Sequence, residues 1–524
     1  MSVPLGNWLS IHARRIGDRA AVIDVDAETT LTYRDIDDRT TRLASALRRK
    51  GVAAGDRVAL CSFNSPAMFE LTFAIAKLGA ITVMINHRLT ATEMNYILSD
   101  SGAKVVCAST PLVDVVTTAA KGTAAAEIVP LTTAAERLEH LDDAIEALIA
   151  SGDADEALPD VNPDSPALLM YTSGTTGKPK GAILTHTNLF WVSLYHNNVG
   201  EGINHNNRNL VVAPLFHIGG LAVYTLATTY WGGANYILES FSPGKWAAAV
   251  ETYSCTTAFA VPTMWAAILR SGELDTHDTS SLLVAISGGA PCPIPIIEGL
   301  QAKGLSFTEG FGMTETAAAA SILSSEFITT KAGSVGKPST NVDFRVVDDS
   351  GNDVAPDTVG ELIVRGPSVF KGYWNRPEAD AEAFRNGWFH TGDLAKSDAD
   401  GFYFLVDRKK DMIISGGENV YPIEVEQALH SHDGISDISV IGTPDDYWGE
   451  AVTAIIVPSN AGHSNYETLI ASLERHARDR LAGFKIPRYY FVVDALPLTA
   501  TGKVRKVDLR EWVKTLSPVV AGAT

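Results

Sequence analysis

Residues 171–186 read YTSGTTGKPKGAILTH. Five Ser/Thr hydroxyls, three glycines and two lysines crowd this span. A polyphosphate accounts for that mixture: backbone N–H groups and hydroxyls wrap phosphate oxygens, and lysine supplies charge. The Walker loop, G-x4-G-K-[ST], does not account for it. The position five before Gly177 is Thr172, and Lys178 is followed by Pro179, not by a hydroxyl that could hold magnesium at a helix start. Pro179 also cannot sit inside a helix. An ordinary surface turn would seldom follow a buried-strand pattern such as ALLMYTS (167–173).

The rest of the chain limits what such a loop belongs to. At 524 residues it exceeds what one hydrophobic core usually serves, so at least two domains are expected. With 46% apolar and 20% charged residues it reads as globular, and a formal charge of -19 argues against a nucleic-acid partner. The opening MSVPLGNWLSIHARRIGDRA lacks the basic patch and apolar run of a secretory signal, which makes cytoplasmic residence the expectation. Cys61, Cys107, Cys255 and Cys292 show no CxxC spacing and read as small core residues. The uncharged run Ile218 to Leu238 is long enough for a bilayer, but Gly219, Gly220, Gly232, Gly233 and Asn235 interrupt it. A buried helix beside a pocket is expected there, with no membrane span.

The first 150 residues alternate strands and helices. Thr32 and Asp35 form a capping box ahead of Ile36, Leu43 and Leu47 on one helical face, Gly51 stops that helix, and RVALCSF (57–63) is the next buried strand. FELTFAIAKLGAITVMI (69–85) repeats the rhythm with a break at Gly79. An α/β domain with a largely parallel sheet follows. After about residue 340 short strands with turn signals take over, and the tail from 411 is the size of a small α+β domain.

The opening loop resembles the signature of the adenylate-forming superfamily, which includes acyl-CoA synthetases, the adenylation domains of peptide synthetases, and luciferases. Five further stretches match in the family's order: GFGMTET (310–316), GELIVRG (360–366), WFHTGDLA (388–395), DRKKDMIISGGENVYPIEVE (407–426) and PLTATGKVRK (497–506). The resemblance covers nearly the whole chain. It implies an α/β N-terminal adenylation domain, residues 1–409, with parallel-rich sheets and a small β-barrel-like part, followed by a mobile α+β lid, residues 410–524. Its reaction converts a carboxylic acid and Mg-ATP to an acyl-adenylate and pyrophosphate. Coenzyme A then displaces AMP. No tightly bound organic cofactor is implied.

The resemblance also assigns roles. Thr172, Ser173, Gly174, Thr175, Thr176, Gly177 and Lys178 are the pyrophosphate-side loop, with Lys180 beside it. Gly288, Gly289 and Ala290, with Gly310, Phe311, Gly312, Met313 and Thr314, border the nucleotide. Glu315 is the magnesium-associated carboxylate, Asp393 accepts the ribose hydroxyls and Arg408 supports the nucleotide, which suits an acceptor-only acid and a permanent cation. Lys503, between Thr501-Gly502 and Arg505-Lys506, joins substrate carboxylate to α-phosphate during adenylation. Lys410 is the hinge, and rotation about it brings Ser415, Gly416 and Gly417 toward a pantetheine channel.

His217, where amino-acid-activating domains carry an aspartate, resembles the gate of acyl-CoA synthetases, so an amino acid substrate is not expected. The acyl pocket implied is His217, Ile218, Gly219, Gly220, Val223, Tyr224, Thr263, Ser287, Met313 and Ala317. Its segments carry no Lys or Arg to pair a second carboxylate, which disfavours malonate, oxalate and succinate. Gly219 and Gly220 are expected to leave room where plant coumarate ligases carry a bulky side chain, and Tyr224, Thr225 or Thr263 could meet a phenol. A medium-chain fatty acid and an arylalkenoic acid such as ferulate both fit. Loading of a carrier protein and a luciferase-like oxygenation are the other readings. A homodimer is the oligomeric form expected.

Overall fold

The computed structural model describes residues 3–139, 144–172, 178–195, 202–445, 447–459, 466–499 and 503–521. Thr32 caps the helix Tyr33–Arg49 with the reciprocal Asp35 bond expected of a capping box, and Gly51 leaves it at a φ of 83°. Ile36, Leu43 and Leu47 on that helix, with Phe69 and Phe73 on Pro66–Lys77, are wholly buried in one core with Leu60. Each such side chain contributes on the order of 1.5–3 kcal/mol by leaving water.

Two sheets with parallel centres build the large N-terminal domain. In the first the strands lie in the order Glu127–Leu131, Val105–Ser109, Arg57–Cys61, Ile81–Met84, Pro166–Thr172, Lys180–Thr185. Every pairing in it is parallel except the last, which is antiparallel and sets Thr172 opposite Lys180. The glycine-rich stretch therefore connects two strands of one hairpin.

The second sheet has nine strands, and its centre runs in parallel order through Phe307–Phe311, Val284–Ser287, Thr257–Ala260, Arg208–Val211 and Ala234–Ile237. Ligands of open α/β sheets collect beyond the carboxyl ends of such strands. The carboxyl ends here lead into GFGMTET, SGGAP, FAVPTMW and APLFH.

The apolar run from Ile218 forms the helical turn Ile218–Gly220, a π-helical turn Leu221–Thr225 and the helix Leu226–Trp231, ending at Gly232 with a φ of 84° before the strand Ala234–Ile237. The Thr225 hydroxyl donates to the Gly220 carbonyl (2.7 Å), five residues back, which accompanies the widened turn. No described helix is long and apolar enough to cross a membrane. All four cysteines are buried free thiols.

The third sheet joins Asp343–Val347, Gly360–Arg365, Trp388–Ser397, Phe384–Arg385 and Tyr403–Arg408, all antiparallel. It curls until Tyr403 Oη donates to the Phe344 carbonyl (3.3 Å), which gives it a barrel-like curvature without a ladder between those two strands. The smaller C-terminal domain has its own six-stranded sheet and a core of Val440, Ile456, Leu473 and Tyr490 under the helices Pro422–His430 and Tyr466–Arg478.

Candidate active site

Thr172 ends its strand with Oγ1 3.4 Å from Glu315 Oε1, and Tyr373 Oη donates to the same oxygen at 3.0 Å. Glu315 is 5% exposed, and burial raises its pKa. A dry carboxylate that accepts from two neutral hydroxyls, with the Arg408 and Lys503 charges near it, suits a hard divalent cation, and the phosphates of a nucleotide would supply its remaining oxygen ligands. Ser173, Gly174, Thr175, Thr176 and Gly177 lie outside the described residues. Lys178 is exposed with its ammonium 6.0 Å over the Tyr96 ring, and Lys180 stands 5.4 Å over Tyr373.

Asp393 and Arg408 face each other on paired strands, joined by an ion pair with Nε 2.7 Å from Oδ1. Asp393 Oδ2 is buried without a hydrogen-bond partner, and burial raises the acid's pKa against the charges of Arg408 and Lys503. An orphaned buried acceptor implies an incoming donor such as a ribose hydroxyl.

Lys503 reaches this site from the C-terminal domain. Its Cε lies 3.5 Å from the position a Cβ on Gly289 would take, and Gly289 has a φ of 88°. Burial first, then the Arg408 charge, lower the lysine's pKa to about 8, while Asp393 and Glu315 oppose the shift. Gly312 is wedged so tightly that a Cβ would fall 1.6 Å from the Ala318 carbonyl oxygen, so only glycine fits that turn.

His217 follows a segment pinned by Asn64, whose side chain accepts from Leu215 N (2.8 Å) and donates to Ala213 O (3.1 Å). His217 Nδ1 accepts from Gly219 N (3.3 Å), so the neutral ring carries its proton on Nε2. Burial, then the Lys503 charge, push its pKa down to about 3.

Ile218, Gly219, Gly220, Val223, Tyr224, Ser287 and Ala317 are buried beside it, with Thr263 and Met313 half-buried. The expected room at the glycines is corrected here. A Cβ on Gly219 would strike the Phe259 ring at 2.9 Å, and one on Gly220 the Pro214 carbonyl at 2.3 Å. These glycines let a ring and a backbone approach closely. Behind Gly220, Tyr224, Thr225 and Phe259 lies a void of about 10 Å³, room for about one water. The Thr225 hydroxyl is already committed to Gly220 O.

Lys410 is exposed in the turn after Arg408. Ser415, Gly416 and Gly417 form a hairpin turn in the C-terminal domain, where Gly416 lies under the Trp448 ring. This arrangement brings together Lys503, Gly289, Asp393, Arg408, Glu315, Thr172 and His217, while the hairpin packs on its own domain.

Sequence reasoning missed Tyr373, Phe259 and Asn64. Tyr373 stands in KGYWNRPE (371–378), between two recognised motifs, but its bridge to Ala182 and the 2.8 Å bond from Phe370 N to the Glu315 carbonyl are what carry it to Glu315. Phe259 stands four residues before Thr263, a residue already placed in the pocket, whereas no spacing marks Asn64.

The family profile described as AMP-binding enzyme matches residues 9–374, and that of the AMP-binding enzyme C-terminal domain matches residues 424–503. The chain belongs to this family of AMP-binding enzymes. It is 41% identical to a feruloyl-CoA synthase of Amycolatopsis sp, over 97% of this chain and 98% of that one. Its identity to the indoleacetate–CoA ligase of Aromatoleum aromaticum is 34%, over 97% and 98%. O-succinylbenzoate coenzyme A synthetase of Bacillus subtilis, solved in complex with ATP and magnesium ion, superposes with a TM-score of 0.81 at 31% identity, over 98% of this chain and all of that one.

Proposed function

We propose that this enzyme joins an apolar arylalkenoic acid of the hydroxycinnamate type, such as ferulate, to coenzyme A. Its reaction class is ATP-dependent, AMP-forming acid:CoA ligation. The observation that carries the reading is the convergence of Lys503, the Asp393–Arg408 pair and the Glu315–Thr172 contact beyond the carboxyl ends of parallel strands. The 41% identity to a feruloyl-CoA synthase supports the aryl acid.

In the first half-reaction a substrate carboxylate oxygen attacks the α-phosphorus of ATP and pyrophosphate leaves. Asp393 Oδ2 takes the ribose hydroxyls and Arg408 fixes that acid. The protonated Lys503 spans substrate carboxylate and α-phosphate, where negative charge gathers. A magnesium ion, held by Glu315 with Thr172 near it, would neutralise the phosphates. Neutral His217 presents Nε2–H as a donor and adds no charge near the acid. In the second half-reaction the thiol sulfur attacks the acyl carbon, AMP leaves and the thiol proton is lost. We assign the change between halves to rotation about Lys410, which withdraws Lys503. A cytoplasmic setting supplies both ATP and coenzyme A.

The test is AMP and pyrophosphate release with Mg-ATP and coenzyme A across acetate, octanoate, palmitate, benzoate, ferulate and malonate. Coenzyme A-dependent turnover that peaks on ferulate is expected. A peak on octanoate would replace the aryl acid by a fatty acid, and pyrophosphate release indifferent to coenzyme A would overturn the ligase.

A further inference from the structure

Asp100 occupies the last turn of the helix Ala91–Ser101, where the helix dipole disfavours an acid. Its side chain is only 11% exposed. A carboxylate kept there against local preference needs partners, and it has two, with a third bond to the residue's own backbone carbonyl. Tyr171 Oη donates to Oδ2 at 2.8 Å, Arg376 Nη2 pairs with Oδ1, and the Trp374 indole N–H donates to the Asp100 carbonyl at 3.2 Å. Arg376 Nη2 also donates to Tyr96 Oη (3.2 Å), and that hydroxyl in turn donates to the Pro179 carbonyl at 3.1 Å.

Tyr171 and Pro179 bracket the hairpin connection whose paired ends are Thr172 and Lys180. One ion pair thus holds both strand ends. The same segment continues the tie on its other side: Trp374 N donates to Gly181 O (2.7 Å), and Tyr373 Oη donates to Glu315. Arg57 stacks 5.6 Å over Trp374 and closes the cluster.

We propose that Asp100, Arg376, Tyr96 and Tyr171 are positioning residues for the first half-reaction, holding Thr172, Pro179 and, through Tyr373, Glu315 in one frame for the ATP phosphates. The inference rests on reading residues 172–180 as the pyrophosphate-side stretch. None of the four touches the reacting atoms. Their effect lies in where the hairpin ends and the Glu315 carboxylate stand when Mg-ATP arrives.

The experiment separates the half-reactions in the full-length enzyme. Acid-dependent exchange of pyrophosphate into ATP reports the first, and thioester formation from supplied acyl-AMP reports the second. Tyr96→Phe and Tyr171→Phe each remove one hydroxyl and little volume, and Asp100→Asn removes the charge while leaving an acceptor. Each Phe variant is expected to raise KM for Mg-ATP about tenfold, and Asp100→Asn more, with thioester formation unchanged within about twofold. The double Phe variant should lose less than the product of the single losses, because both hydroxyls depend on one ion pair. Unchanged KM for Mg-ATP, or equal loss in both half-reactions, overturns the positioning role. Absence of exchange in the unmodified enzyme overturns instead the reading of the stretch, and the proposal with it.

Discussion

Asp393 presents two oxygens in opposite circumstances: Oδ1 is ion-paired with Arg408 Nε at 2.7 Å, and Oδ2 is buried with no hydrogen-bond partner. Arg408 fixes the carboxylate and leaves one acceptor for a ligand. Asp393→Ala should therefore raise KM for ATP by about 10- to 100-fold and abolish discrimination between ATP and 2′-deoxy-ATP. Steady-state kinetics with both nucleotides check this, and a variant that still prefers ATP as strongly as the parent would remove Asp393 from the ribose.

Lys503→Ala removes the cation proposed to span carboxylate and α-phosphate. Acyl-AMP formation should fall by at least about a hundredfold, while thioester formation from supplied acyl-AMP persists. Equal losses in both half-reactions sink the assignment.

The lysine's depressed pKa gives this step a pH signature. With a value of about 8 in the free enzyme, Lys503 is an ammonium below that pH and neutral above it. kcat/KM for Mg-ATP in acyl-AMP formation should decline as pH rises through about 8. Lys503→Arg, whose guanidinium stays charged, should carry that limb to higher pH even at reduced rate. A limb that stays in place belongs to another group.

Lys410→Pro restricts φ at the turn after Arg408. Rapid-quench measurement of each half-reaction should find adenylation within about threefold of the parent and thioester formation slowed at least about thirtyfold. Unchanged thioester kinetics would place the pivot elsewhere.

Much of this architecture could be read before any coordinates. The Thr32–Asp35 capping box, the Gly51 stop and the buried strands at 57 and 81 follow from neighbours a few residues apart, which local pattern captures. The motifs likewise pointed to Lys503, Asp393 and Glu315 as members of one site. Three-dimensional packing supplied the rest. Tyr373 meets Glu315 across 58 residues of sequence. Gly219 and Gly220 looked like vacancies because sequence names the missing side chain and not the Phe259 ring or Pro214 carbonyl that fills its place. The polarity of the hairpin was equally hidden, since a strand followed by glycines reads alike whether a helix or a strand comes next.

That hairpin polarity shapes the energetics of turnover. The helix His186–Tyr195 begins only after the returning strand Lys180–Thr185, so no helix start directly follows the glycine-rich connection. A phosphate cradle at a helix start carries a permanent electrostatic field that outlasts the chemistry. In the function proposed above, part of the attraction would arrive with Lys503 on a separate domain, and another part with the metal that accompanies the nucleotide. An attraction assembled from detachable pieces can be dismantled once the adenylate has formed. On the proposed rotation, pyrophosphate would take the metal's share of the charge with it and the lysine's retreat would free the adenylate's own carboxyl and α-phosphate before the thiol arrives.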